Sequence, residues 1–445
     1  MSGALHLGPI FYLRDDPAAR PDAVVWITEG ALLIEDGHIT AVGAAADIVA
    51  PAGAEIYRHD GIITPGFIDA HVHYPQTDMI GAHGTQLLDW LSTYTFPIES
   101  EFGDAAHAAN KAEAFLDEML RHGVTSALVF ATSHVASVDA IFTAAEARDM
   151  RLIAGKVLMD AHAPDALLDP PGGGVDESEA LIKRWHGRGR LLYAVTPRFA
   201  LTSTPEQLEA AGKLLAAYPD VYLHTHLAEN VDECAAALGR HPGAPDYLGI
   251  YERHGMVRPR SVFAHAIHMP DDGFARMTAA EAAVAFCPSS NLFLGSGFFD
   301  LAGAREAGTP VALGTDVGGG TSFSMLATMG EAYKVCQARR NVLDAFSAFY
   351  LATLGAARAL KLDDRLGAFA AGKEADFIVL DPASTPLLAR RAAGASSLHD
   401  LLFALMILGD DRAVRETWVA GKLAHVRDAG SPVGEWRGAW MNKTI

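Results

Sequence analysis

Eight short apolar runs set the limits on what this chain can fold into. They are GFIDAHV, TSALVFAT, RLIAGKVLM, LLYAVTPR, VYLHTHLAE, SVFAHAIHM, AAVAFCPSS and PVALGTDV, spread between residues 66 and 317. Each is apolar almost without interruption, so none reads as a half-exposed antiparallel strand, whose side chains would alternate between core and water. Between them lie segments patterned for helix, such as TPEQLEAAGKLLAAYPD, which opens on a Thr-Pro start signal and repeats its apolar residues at helical spacing. Eight strands alternating with helices imply an α/β fold built on a (β/α)8 barrel.

The flanks have a different texture. AVVWITEG and ALLIEDGHITAVG are β-branched runs punctuated by Gly and Asp-Gly turn signals, and the same texture returns late in the chain in ADFIVLD and RETWVAGKLAHVRD. The simplest arrangement pairs the two ends into one small composite β-sandwich. That divides the 445 residues into 1–64, the first part of the small domain; 65–365, the catalytic barrel; and 366–445, the second part of the small domain with a tail. PPGGGVD at 170–176 reads as an exposed loop, and Leu401 to Leu408 as part of a buried helix. The tail EWRGAWMNKTI carries Trp436 and Trp440, which would either anchor a contact between subunits or cover the small domain.

Composition excludes several classes of partner. A formal net charge of −19 disfavours binding to phosphate backbones, which requires clustered Lys and Arg. Three cysteines, Cys234, Cys287 and Cys336, without a Cys-x-x-Cys spacing give neither a disulfide framework nor a thiolate metal site. The start of the chain lacks a basic segment before its apolar residues, and no run approaches the ~20 apolar residues of a membrane helix. The expectation is a cytoplasmic protein acting on small molecules.

In a barrel of this kind the C-terminal ends of the strands build the site, so polar residues placed there carry the chemistry. Strand one ends in His71 and His73, strand four in Arg198, strand five in His226 with Glu229 just beyond, strand six in His265 and strand eight in Asp316. His-x-His alone is a weak signal: with 19 histidines, about one such pair arises by chance, and a second occurs at His224 and His226. Residues i and i+2 of a strand share a face, so His71 and His73 can present two imidazoles to one ion. With His226 as a third nitrogen ligand and Asp316 as an oxygen ligand, a divalent ion gains its protein ligands and keeps a position for water. That set suits zinc, and iron as well. Taken singly, His71 and His73 could be structural or surface residues, Asp316 a helix cap and Glu229 a solvated charge. Their joint placement at the ends of the correct strands carries the reading. His224 is read as support, His268 as a bystander and Cys287 as a small buried thiol. The Gly-rich GTDVGGGTS lacks the Gly-Lys-Ser/Thr of a phosphate loop, so its glycines are expected to form a tight turn beside the site.

On PGFIDAHVH, HTHLAEN, FAHAIH and LGTD, and on the flanking ALLIEDGHITAVG and LGAFAAGKEADFIVLD, the chain resembles the amidohydrolase superfamily over nearly its full length. The resemblance implies a metal-dependent hydrolase. Strand four ends in AVTPR where two-metal members usually carry a bridging lysine, which implies the one-metal branch of aminohydrolases. Two longer stretches, HYPQTDMIGAHGTQLLDWLSTYTFPIESEF and TPRFALTS, resemble guanine-deaminating members. By that resemblance Gln76 and Arg198 bind the polar edges of the purine, Phe199 packs on its ring, and Leu88 and Trp90 help close the pocket. Without it, Arg198 would be read as pairing with a carboxylate and Phe199 as core. The implied chemistry is hydrolysis at C2 of guanine, with Glu229 moving protons, Asp316 binding metal and accepting a proton, and His265 orienting the water or the developing oxyanion. A different purine, a pterin or a triazine is the alternative substrate, and a non-enzymatic scaffold the alternative class. One zinc per subunit and a homodimer complete what the resemblance implies.

Overall fold

The computed structural model describes residues 3–84 and 86–427, which leaves the tryptophan-bearing tail outside the described residues. Each of the eight runs contains a strand: Phe67–His73, Val124–Phe130, Arg151–Gly155, Leu191–Pro197, Tyr222–Leu227, Ser261–His265, Ala283–Phe286 and Val311–Leu313, here barrel strands one to eight. Consecutive strands pair in parallel. Residues just past strand eight bring it against strand one: the Asp316 amide donates to the His71 carbonyl and the His73 amide to the Val317 carbonyl, both at 2.8 Å. Alternate strand residues fall into two cores, as the period of a strand requires. Ile68, Leu128, Ile153 and Val262 join the helix Leu354–Ala359 in one, while Val72, Val129, Phe263 and Val284 join the surrounding helices in the other.

The helix Pro205–Ala217 starts where its sequence signal places it, with the Thr204 hydroxyl accepting from the Gln207 amide. It turns Leu208, Ala211 and Leu215 to the barrel, and truncating either leucine to alanine costs about 2–5 kcal/mol. The loop expected at 170–176 is shorter than its composition suggests, because the helix Gly173–Trp185 begins inside it. Glycine is needed there: a Cβ on Gly174 would stand 2.3 Å from the Asp169 carboxylate. The apolar helix Leu398–Leu408 buries Leu401, Leu402 and Leu405.

The two chain ends meet in one eight-stranded sheet. Ile62–Pro65, from the first end, lies antiparallel to Phe377–Leu380, from the second. The Asp-Gly turn joins Val24–Glu35 to His38–Ala44, with Asp36 at φ 49° and Gly37 at φ 77°, the paired left-handed conformations that a tight hairpin demands. Arg151 and Arg190, at the starts of strands three and four, reach Glu374, and Arg190 also reaches Asp376, so ion pairs bind the barrel to the segment entering the sheet. Among the described residues no helix is long and apolar enough to cross a membrane. Cys234, Cys287 and Cys336 are free thiols.

Candidate active site

Strand one does more than its periodicity predicts. Ile68 and Ala70 already face the inner core, so a regular strand would turn His71 and His73 outward. The pairing register with strand two slips between Asp69 and Val72, and this irregularity turns both histidines into the barrel mouth. A buried carboxylate holds the bend: Asp69 accepts from the His71 amide (3.2 Å), the Thr315 amide (3.0 Å) and the Thr315 hydroxyl, stitching strand one to strand eight. Burial pushes the Asp69 carboxyl up to about 7 despite these bonds.

The histidines then converge. His226 donates from Nδ1 to the Arg198 carbonyl (2.6 Å), which leaves its Nε2 as the lone pair, 3.3 Å from His73 Nε2. His71 is tied through Nδ1 to His224 Nε2 (2.7 Å), and its Nε2 lies 3.2 Å from Asp316 Oδ1. The same carboxylate oxygen is 3.4 Å from His73 Nε2. His265 bonds Asn291 Oδ1 through Nδ1 (2.8 Å) and turns Nε2 toward Glu229 (3.4 Å) and Asp316 (3.8 Å). The Phe130 ring packs against the cluster, 4.6 Å from His73 and 4.7 Å from His226. Burial, then neighbouring histidines, holds the His226 imidazole well below its usual pKa. Burial likewise lowers His73 to about 4. Burial would raise Asp316, but His71, His73 and His265 outweigh it and hold the carboxylate far below its usual range.

These residues fit a divalent cation. His71 Nε2 and His265 Nε2 are buried without a hydrogen-bond partner, neutral imidazoles offer lone pairs, and an ionised carboxylate adds an oxygen donor. The ligating atoms of His71, His73 and Asp316 lie within 4.8 Å of one another, as do those of His71, His226 and His265. Cys287 Sγ falls within the same distance of His265 and Asp316, but the thiol donates to the Ala285 carbonyl and burial raises its pKa well above the usual value.

A pocket opens over the cluster. Its apolar wall is Leu87, Trp90, Leu91 and Phe199, and its polar lining includes Gln76, Arg198 and Glu229. Leu88, expected here, does not line it: one residue from Leu87 is a rotation of about 100° on a helix, and positions i, i+3 and i+4 share the facing side. Glu229 is buried, accepts from the Ser296 hydroxyl (3.3 Å), and is pushed up to about 8 by burial and by the Asp316 charge.

Residues 62–424 match the model of the amidohydrolase family. The chain belongs to the amidohydrolase family. Within it, guanine deaminase of Escherichia coli (strain K12) is 46% identical over 418 residues, spanning 93% of this chain and 95% of that one. The solved structure of E. coli guanine deaminase superposes with a TM-score of 0.93 at 43% identity, covering 96% of this chain and all of the other. Guanine deaminase from Bradyrhizobium japonicum gives the same TM-score at 38% identity, with 96% and 100% covered. Amidohydrolases are typically metal-dependent, in keeping with the donor set at the mouth of the barrel.

Several residues of this amidohydrolase site carry no chemical signal in the sequence. Asp69 sits within PGFIDAHVH yet gives no chemical signal of its own. Asn291 fixes the His265 ring, and Glu99, fully buried, bonds both Gln76 (2.9 Å) and Arg198 (2.6 Å). Arg198 therefore pairs with a carboxylate and also lines the pocket. Three backbone positions at the mouth, Ala228, His265 and Asp316, have φ of 49°, 72° and 51°, left-handed conformations that are uncommon for non-glycine residues. The glycines after Asp316 form the expected tight turn: a Cβ on Gly318 would come within 2.7 Å of the Gln76 carbonyl.

Proposed function

We propose that this chain is a hydrolase that deaminates guanine to xanthine and ammonia, and that the residues converging at the barrel mouth carry the reaction. The observation behind the substrate is its near full-length similarity to guanine deaminases, and the pocket suits a planar heterocycle, with aromatic and aliphatic walls and a polar floor.

His71, His73, His226 and Asp316 are the residues that would hold one divalent ion, zinc in our reading, which when bound activates water as a nucleophile at neutral pH. Asp316, ionised and beside that position, accepts the proton of the attacking water. His265 presents Nε2 between Glu229 and Asp316 and orients the water and the oxyanion that forms at C2. Glu229, buried in the lining of the pocket, passes a proton to the unprotonated ring nitrogen beside C2 as water adds. It then takes up and returns a proton to the departing amine, so that guanine and water become xanthine and ammonia. Phe199 and Trp90 bound the ring, and Gln76 and Arg198 bind its polar edge. A homodimer and a cytoplasmic location complete the reading, and sedimentation of the purified protein tests the first.

The deciding experiment incubates zinc-loaded protein with guanine, adenine, cytosine, a pterin and a triazine and quantifies ammonia and deaminated product. Xanthine from guanine in preference to the others is expected. Release from another amine but not guanine would keep the metal site and discard the pocket assignment.

A further inference from the structure

Glu99 lies behind the pocket without lining it, and its two oxygens are divided between two residues that do line it. Gln76 donates from Nε2 to Glu99 Oε1 at 2.9 Å, and Arg198 donates from Nη1 to Glu99 Oε2 at 2.6 Å. On its other side Gln76 accepts from the Gly318 amide at 3.2 Å. A carboxylate paired with arginine accepts, and a backbone N–H donates, so the Gln76 amide has one orientation. Its nitrogen must face Glu99 and its carbonyl must face Gly318. What remains for a ligand is the second Nε2 hydrogen of Gln76 and the guanidinium N–H groups of Arg198 not bound to Glu99. All of these are donors. The Phe96 ring centroid lies 5.3 Å from the Arg198 guanidinium carbon, a cation–π contact that helps hold the group in place.

We propose that Glu99 is a positioning residue that makes this end of the pocket a donor-only wall, and that the wall selects purines bearing an oxygen at position 6 over those bearing an amine there. The inference rests on the reading of Gln76 and Arg198 as purine contacts. The oxygen at C6 and the neighbouring N7 of guanine are acceptors and satisfy the wall, whereas a 6-amine sets donor against donor and leaves both without a partner. Free of Glu99, the Gln76 amide could rotate to offer its carbonyl, and the discrimination would weaken.

Guanine and 2,6-diaminopurine share the reacting 2-amine and differ at position 6 and in the proton on N1, so the change in their kcat/KM ratio between parent and variant, rather than the ratio itself, reads the wall. The parent enzyme is expected to prefer guanine by about 10²-fold or more. Glu99→Gln should raise the KM for guanine about tenfold, with a smaller change in kcat, and should shrink that preference by a similar factor, with metal content unchanged. The double variant Gln76→Glu/Glu99→Gln preserves the net charge and the bond between the two positions but turns a carboxylate toward the ligand. It should lose the preference even though it folds and loads metal. Parental KM and ratio in Glu99→Gln, including the case where only its melting temperature falls, would overturn the role. So would a parental ratio in the double variant, which also serves if the single variant fails to fold. No xanthine from the parent enzyme would instead sink the functional reading on which this one stands.

Discussion

Buried histidines cluster in two places, the barrel mouth and the small sheet, and only at the mouth do their second nitrogens converge. At the barrel mouth His71, His226 and His265 each commit Nδ1 to a fixed partner, namely His224, the Arg198 carbonyl and Asn291, and turn Nε2 toward a common region beside Asp316. In the small sheet, His6 Nδ1 meets His59 Nε2 at 3.0 Å and His59 Nδ1 lies 3.1 Å from Glu416, so the groups join end to end. Tyr57, Phe377 and Trp418 surround His6 with ring centroids at 4.8, 4.9 and 4.6 Å. Burial of the imidazoles is thus alike in both places. His6 Nε2 is also buried without a hydrogen-bond partner, so what separates the two places is that at the mouth several such nitrogens converge beside a carboxylate.

Stripping the metal with a chelator, or replacing His226 with alanine, should have the largest effect, about 10³-fold or more in kcat, restored by zinc in the first case and not in the second. The matching change in the other cluster, His6→Phe, should leave metal content and turnover at parental values. Loss of metal from that variant would break the contrast. Glu229→Gln should lower kcat by about 10²–10⁴-fold while retaining the metal, as elemental analysis would check. His6 itself should appear in stability rather than catalysis. Burial, reinforced by His59 and opposed by Glu416, lowers its pKa from 6.5 to about 3, so the unfolded chain takes up this proton first and stability falls as the pH drops below about 6.5. At pH 5 this contributes about 2 kcal/mol of acid destabilisation, which His6→Phe should remove in denaturant titrations at pH 5 and 7. The smallest effect separates two neighbours on the pocket helix: Leu91→Ala should raise the KM for guanine by about tenfold, and Leu88→Ala by less than about twofold.

The barrel was legible because a parallel strand buried on both sides must be apolar throughout, and eight such runs have few other solutions. The residues that converge at the mouth were legible because strand ends are where barrels gather polar side chains. The bend in strand one was not, since nothing in PGFIDAHVH announces a slip of register, and the shared face of His71 and His73 would have been the wrong face without it. Glu99 was equally silent. In FPIESEF it reads as one more charge on a helix, and its burial depends on Arg198, which lies 99 residues away in sequence. Leu88 packs against the apolar cluster behind the lining for a local reason, because the helix turns Leu87 and Leu91 to the pocket instead.

The stitch from Asp69 to Thr315 spans 246 residues, and Asp316 follows immediately. The ring of strands is therefore shut by the same few residues that deliver the Asp316 carboxylate to the mouth. A nascent chain that has not yet reached them can lay down strand after strand while its imidazoles stay an incomplete set. Readiness for chemistry arrives late and all at once, as a report that the whole barrel has been made.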